Sequence, residues 1–304
     1  MNRITTQFKK TILGAAMVVL SGQVHSAALT FSTSFIDPLG NGTQYYSSLT
    51  SHIGAALQSW GSFLTGSAHF EVSVEITNGV PRATGASATS VFLRNNGTYD
   101  VYEQGMAAEL RTGVDPNGSA PDIVLQFSPL YLANELWFDP DPFSRTAIVP
   151  ADRTDAASVL IHEIGHALAF NGWADGFTGL VPSNYESTWD ENVLAIGGNL
   201  YFLGANAAAI YGGSVPVTLG NNFHIGNATG PGVDLVPDLM NGVVYDRGFR
   251  YAISDLDIAM LRDSGIQTNS VEEPTAFTLL ALSAGIAVAV TQSRRKRRLY
   301  HVDA

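Results

Sequence analysis

The 304-residue chain contains no cysteine. That excludes disulfides, a thiolate metal site, a cysteine nucleophile and latency through a cysteine ligand. Positive charge is also scarce. Between residues 28 and 270 there are 8 cations, all arginine, against 24 acids, a net of −16. Such a surface repels phosphate backbones and anionic lipid, so no nucleic-acid partner is expected. Internal repeats and long low-complexity tracts are absent as well, which argues against a solenoid or a linker protein.

What is present begins at the ends. Lys9 and Lys10 precede an apolar run, Thr11 to Leu20, and small residues surround Ser26-Ala27-Ala28. Residues 1–27 therefore read as a secretory signal peptide, the run being too short for a spanning helix. At the other end Glu273-Pro274 leads into the uncharged stretch Ala276–Val290, followed by Arg294-Arg295-Lys296-Arg297-Arg298. Five consecutive cations resist burial, so residues 276–290 read as a short transmembrane span with a cytoplasmic basic flank. Residues 28–270 remain as one folded domain, long enough for a sizeable core.

Periodicity within that domain predicts an α+β fold. Leu29–Ile36 and Phe70–Ile76 alternate as strands, and Asp122–Phe127 is an apolar strand. Leu49, Ile53, Leu57, Trp60 and Leu64 space an amphipathic helix over Ser47–Leu64. A second helix is expected at Asp155–Phe170, packed under the sheet. Residues 171–232 are rich in Gly, Asn and aromatics, an irregular C-terminal lobe with a short helix near Gly204–Tyr211. A last helix, Asp255–Asp263, has Ser254 as N-cap and Ser264-Gly265 as its stop. Asn41-Gly42-Thr43 and Asn96-Gly97-Thr98 read as turns rather than glycosylation sites.

The chemistry lies in His162-Glu163-Ile164-Gly165-His166. Histidines at i and i+4 share one helix face and reach one Zn²⁺, while Glu163 is rotated away from ligation and free to act as general base. A catalytic zinc takes a third protein ligand and keeps one position open. His25 falls in the signal and His301 in the cationic tail; His52 and His69 precede the motif and suit structural roles. His224 remains. Asp155 or Asp152 is a candidate to orient the ligands. Asp139-Pro140-Asp141 is a candidate Ca²⁺ contact, although acidic turns are commoner than sites, and Ca²⁺ stands as a second candidate cofactor.

The motif, His224 and the following Asp238-Leu239-Met240-Asn241 resemble metzincin zinc proteases of the leishmanolysin type. There a long insertion separates HExxH from the third His, and a methionine turn follows. The usual HExxHxxGxxH is not kept: Ala169 and Gly172 stand where Gly and His are expected. The resemblance spans about Ala156 to Gly265. It implies a zincin-type fold with a twisted mixed sheet and an active-site helix. It also implies peptide-bond hydrolysis of a protein or peptide substrate, with His162, His166 and His224 on zinc. The strand Asp122–Ser128 would be the cleft strand that pairs with substrate, and Tyr245 is a candidate oxyanion partner. A thermolysin-like, gluzincin resemblance competes, because Glu186 lies 20 residues after His166 and Asp190 four further on; it would make Glu186 the third ligand. A catalytically silent adhesion protein of the surface or biofilm matrix, on the same fold, is a further alternative, as is a structural-zinc module. The tail is similar to the PEP-CTERM sorting signal of Gram-negative surface proteins, with Glu272-Glu273-Pro274 in place of Pro-Glu-Pro. That implies an exosortase-type partner, transient inner-membrane anchoring, and a location at the cell surface, in the periplasm or outside the cell.

Overall fold

The alternation at the start of the domain forms β1 (Ala28–Ile36), and the amphipathic run forms α1 (Tyr46–Gly61), a crossover into β2 (Ser67–Ile76). The computed structural model describes residues 27–269. The signal-peptide and sorting-tail expectations lie outside them. β1 and β2 pair in parallel, with Phe31 opposite Phe70. Next come β3 (Ala83–Ser87), β4 (Ser90–Asn95), β5 (Asp100–Gln104), α2 (Gly105–Thr112), β6 (Ile123–Phe127), α3 (Pro129–Asn134), β7 (Leu136–Trp137) and β8 (Thr154–Asp155). The main sheet runs β1-β2-β6-β3, three parallel strands with β3 antiparallel at one edge. The class is α+β, as expected, with a mixed four-stranded sheet and three smaller ones.

One side of that sheet is built from Phe70, Val72, Val74, Ile76, Ile123, Leu125 and Phe127, all buried with Leu49, Ile53, Leu57 and Trp60 of α1. Each such side chain contributes about 1.5–3 kcal/mol of burial. α4 (Ala156–Leu168) carries the HExxH motif and is buried at all 13 positions. It is apolar on nearly every face, so only a core can hold it. Asp155 starts it by accepting the Ser158 N–H at 3.1 Å. The Trp60 indole donates to Ile161 O at 2.8 Å and fixes α1 against α4.

After α4 the elements shorten: β9 (Tyr185–Ser187), β10 (Val193–Ile196), β11 (Asn199–Phe202), α5 (Ala205–Tyr211), β12 (Val215–Pro216) and α6 (Asp255–Asp263). α6 has a capping box between Ser254 and Asp257. The turns at Asn41-Gly42-Thr43 and Asn96-Gly97-Thr98 are present, the latter closing the β4–β5 hairpin. The short strand β3 and the helices α2 and α3 are additions to the sequence reading. β3 is Ala-Thr-Gly-Ala-Ser, which has no apolar alternation to detect.

Two expectations are corrected. No helix among the described residues is long and apolar enough to cross a membrane. The longest, α1, has 16 residues, about 24 Å against roughly 30 Å of hydrocarbon. The transmembrane reading is therefore withdrawn; the Ala276–Val290 stretch that prompted it lies outside the described residues. Second, Asp122–Ser128 is not a free cleft strand. Its strand β6 is bonded to β2 on one side and β3 on the other, which leaves no ladder groups for a substrate. The edge belongs to β3.

Candidate metal centre and cleft

α4 brings His162 and His166 onto one face, and a loop after β12 delivers His224 to them. The three Nε2 atoms form a near-equilateral triangle, with 3.1 Å between His162 and His166 and 3.0 Å from each to His224. They form the one metal-capable group of His, Asp and Glu side chains found among the described residues. His162 Nδ1–H donates to Leu239 O (2.8 Å) and His166 Nδ1–H to Phe170 O (2.6 Å). With the proton on Nδ1, each Nε2 carries a lone pair. Lone pairs 3.1 Å apart repel, and a proton on His224 can serve only one of them. A cation satisfies all three. The spacing is near that of three donors about 2.0–2.1 Å from one centre, so three neutral imidazoles fit Zn²⁺ with a position left open.

Burial keeps the imidazoles neutral. It lowers His162 to about 3, with help from His166, and His166 to about 4. His224 is held well below its ordinary value by burial and by the other two rings. Glu163 lies in the same cleft, 7% exposed, and burial pushes its carboxyl up to about 8, partly offset by a hydrogen bond from the Gly85 backbone. A bound dication acts on Glu163 in the opposite direction.

Two glycines permit this assembly. A Cβ on Gly85 would lie 2.2 Å from Glu163 O, so only glycine lets β3 approach α4 here. A Cβ on Gly165 would lie 3.0 Å from Met240 Sδ. Asp238–Asn241 is a tight turn in which Asp238 Oδ1 accepts the Met240 N–H (3.0 Å) and Met240 is fully buried beneath α4. The adjacent Leu239 carbonyl receives both His162 and the Tyr245 hydroxyl (2.5 Å).

The remaining candidates fall as follows. Glu186 sits on β9, outside the histidine group, and accepts from Asn96 Nδ2 at 2.7 Å. Asp190 binds the backbone N–H groups of Trp173, Ala174 and Ser187. Tyr245 packs its ring 5.2 Å from that of His162, and its hydroxyl is committed to Leu239. Asp155 caps α4 and pairs with Arg145 (2.9 Å) and Arg250 (3.4 Å); the groups that orient His162 and His166 are main-chain carbonyls instead. Asp152 is 80% exposed at its side chain, and its nearest cation is Arg153 at 3.9 Å. In the candidate Ca²⁺ turn, Asp139 is paired with Arg250 and Asp141 caps Ser144. His52 bridges Ser48 O and the Asp139 N–H, a structural role, and His69 contacts Thr30.

The cleft beside the histidines has a volume near 150 Å³. It is lined by Arg82-Ala83, Tyr131, Val159, His162, Glu163, Asn221, His224 and Asn241–Tyr245. Arg82 and Tyr131 have no local signature; they are found only once β3 and α3 are known to flank α4. No protein-family model, no curated protein and no solved structure matches this chain.

Proposed function

We propose that the protein is an exported zinc-dependent endopeptidase of zincin-type fold. Zinc would be held by His162, His166 and His224, and Glu163 would be the general base. The observation that carries the reading is the convergence of three histidine Nε2 atoms within 3.1 Å of one another, in the cleft that also holds a buried carboxylate with no ion pair. When bound, the ion supplies Lewis-acid polarisation of the peptide carbonyl and acidifies the attacking water. Glu163 takes the proton from that water and then delivers it to the leaving amine. The free edge of β3 offers main-chain groups along which an extended substrate can lie as an added strand. Tyr131 and Val159 line the cleft in which the reacting bond would lie. Export rests on the signal-like N-terminus and on a domain with no thiol to protect.

The test is cleavage of casein or a peptide library by purified protein, with zinc content measured in parallel. About one zinc per chain is expected. Chelator should abolish cleavage, zinc should restore it, and Glu163→Gln should retain zinc while losing activity by at least about 10²–10⁴-fold. Zinc bound without any Glu163-dependent hydrolysis would leave the adhesion reading in its place. Retained zinc in His224→Ala, with loss in Glu186→Ala, would shift the third ligand to Glu186.

A further inference from the structure

Eight arginines lie among the described residues, within a domain that carries 24 acids. In so acidic a setting an arginine finds a carboxylate by default. Arg94, Arg111, Arg145, Arg153, Arg247 and Arg250 all do, and Arg262 donates to Thr268. Arg82 alone among the described residues has neither an ion pair nor a side-chain hydrogen bond. It is also the arginine that lines the cleft, immediately before the edge strand β3. Its backbone is fixed, since Arg82 O accepts the Ser128 N–H at 2.7 Å. It makes no ion pair with Glu163, the acid in the same cleft. A free guanidinium presents five donors in a planar fork that matches a carboxylate.

We propose that Arg82 is a specificity-determining residue that binds a carboxylate of the substrate close to the scissile bond. This rests on the endopeptidase reading. The carboxylate is an Asp or Glu side chain of a peptide laid along β3, or the free C-terminus of a short peptide; both present the same planar anion. The long-range field of an acidic protein disfavours such substrates, so their selection needs a local cation. Arg82, in the lining of the same cleft as Glu163, supplies one. Because the site is open to water, the contact weakens as salt rises.

The experiment compares kcat/KM for paired peptides that differ only in Glu against Gln beside one scissile bond, each with a free or an amidated C-terminus. Wild type should favour the acidic member roughly tenfold, as for a hydrogen bond to a charged group. Arg82→Gln should bring that ratio close to one, and Arg82→Glu should invert it in favour of the Gln member. The wild-type ratio should fall as salt rises. A Glu-over-Gln preference that persists with amidated peptides assigns the side-chain carboxylate; a free-over-amidated preference with no difference between Glu and Gln assigns the C-terminus. Binding of the same peptides to Glu163→Gln and to the double variant Glu163→Gln/Arg82→Gln, by calorimetry, gives a readout that needs no turnover. Glu/Gln and free/amidated ratios that are both unchanged in Arg82→Gln, in cleavage and in binding, overturn the proposal. Absence of cleavage of every peptide by wild type overturns the endopeptidase reading instead, and the calorimetry still decides Arg82.

Discussion

Residues 28–168 and residues 169–254 satisfy their backbones by different means. In the first half the ladders of β1, β2, β6 and β3 and the helices α1 and α4 absorb the polar groups. In the second half side chains do much of that work. Asp190 holds three N–H groups, Thr218 Oγ1 donates to Gly226 O (2.6 Å), and Asn222 links Ala174 O to the Trp189 indole. His224 hangs on this second network and His162 and His166 on the first. The candidate metal centre is therefore a joint between a periodic half and an irregular one. Its integrity depends on single polar side chains in one partner and on distributed apolar packing in the other.

The sharpest way to break the irregular half is Asp190→Ala. Three N–H groups, those of Ala174 and Ser187 buried and that of Trp173 part-buried, would lose their acceptor at about 1–3 kcal/mol each. A loss of about 4 kcal/mol or more in chemical denaturation is expected, together with reduced zinc content, because Trp173-Ala174 positions Asn222 two residues before His224. Full zinc occupancy with native stability would show that the clamp does not hold the ligand. In the periodic half Leu125→Ala, fully buried at the centre of β6, should cost about 3 kcal/mol. Zinc content at moderate temperature should stay intact, since the ladder distributes the loss.

A pH test separates the halves further. Asp122 precedes β6 and is fully buried; burial, with the Glu71 carboxyl beside it, raises its pKa to about 7. The folded state thus keeps a proton that the unfolded chain releases near pH 4. Stability from this group is fully present below that pH and is lost as pH rises through about 7. Asp122→Asn keeps the acceptor for the Glu71 N–H and should flatten the decline. Relative to wild type it should gain about 2 kcal/mol, ~4–8 °C in Tm, at pH 8 over pH 4. Equal pH dependence in both proteins would refute the assignment. The smallest effect is expected for Met240→Leu, a nearly volume-conserving change under Gly165, at less than about 1.5 kcal/mol and with zinc retained. Zinc loss there would mean that the thioether does more than pack.

Legibility followed the same division. Leu29–Ile36, Phe70–Ile76 and the 49-53-57-60-64 spacing mapped onto β1, β2 and α1 to within a few residues, because each buries one face at a regular period. Asp255–Asp263 was readable from its Ser254 N-cap, the acids in its first turn and the Ser264-Gly265 stop. β3 was not: five small residues carry no pattern, and it is a strand because Gly85 lets it lie between β6 and α4. Missing β3 put the cleft edge on Asp122–Ser128 and hid Arg82. α3, only six residues long, hid Tyr131 in the same way.

The sequence by itself determined that His162, Glu163 and His166 share a buried helix, since spacing on a helix is local geometry. It also nominated His224 and Glu186 as rival partners without deciding between their positions. Tertiary structure decided that: Nε2 of His224 lies 3.0 Å from both motif histidines, while Glu186 is bonded to Asn96 on a separate sheet. The reason is that long-range placement in the irregular half depends on individual side-chain bonds to distant backbone, which leave no period in the sequence to read.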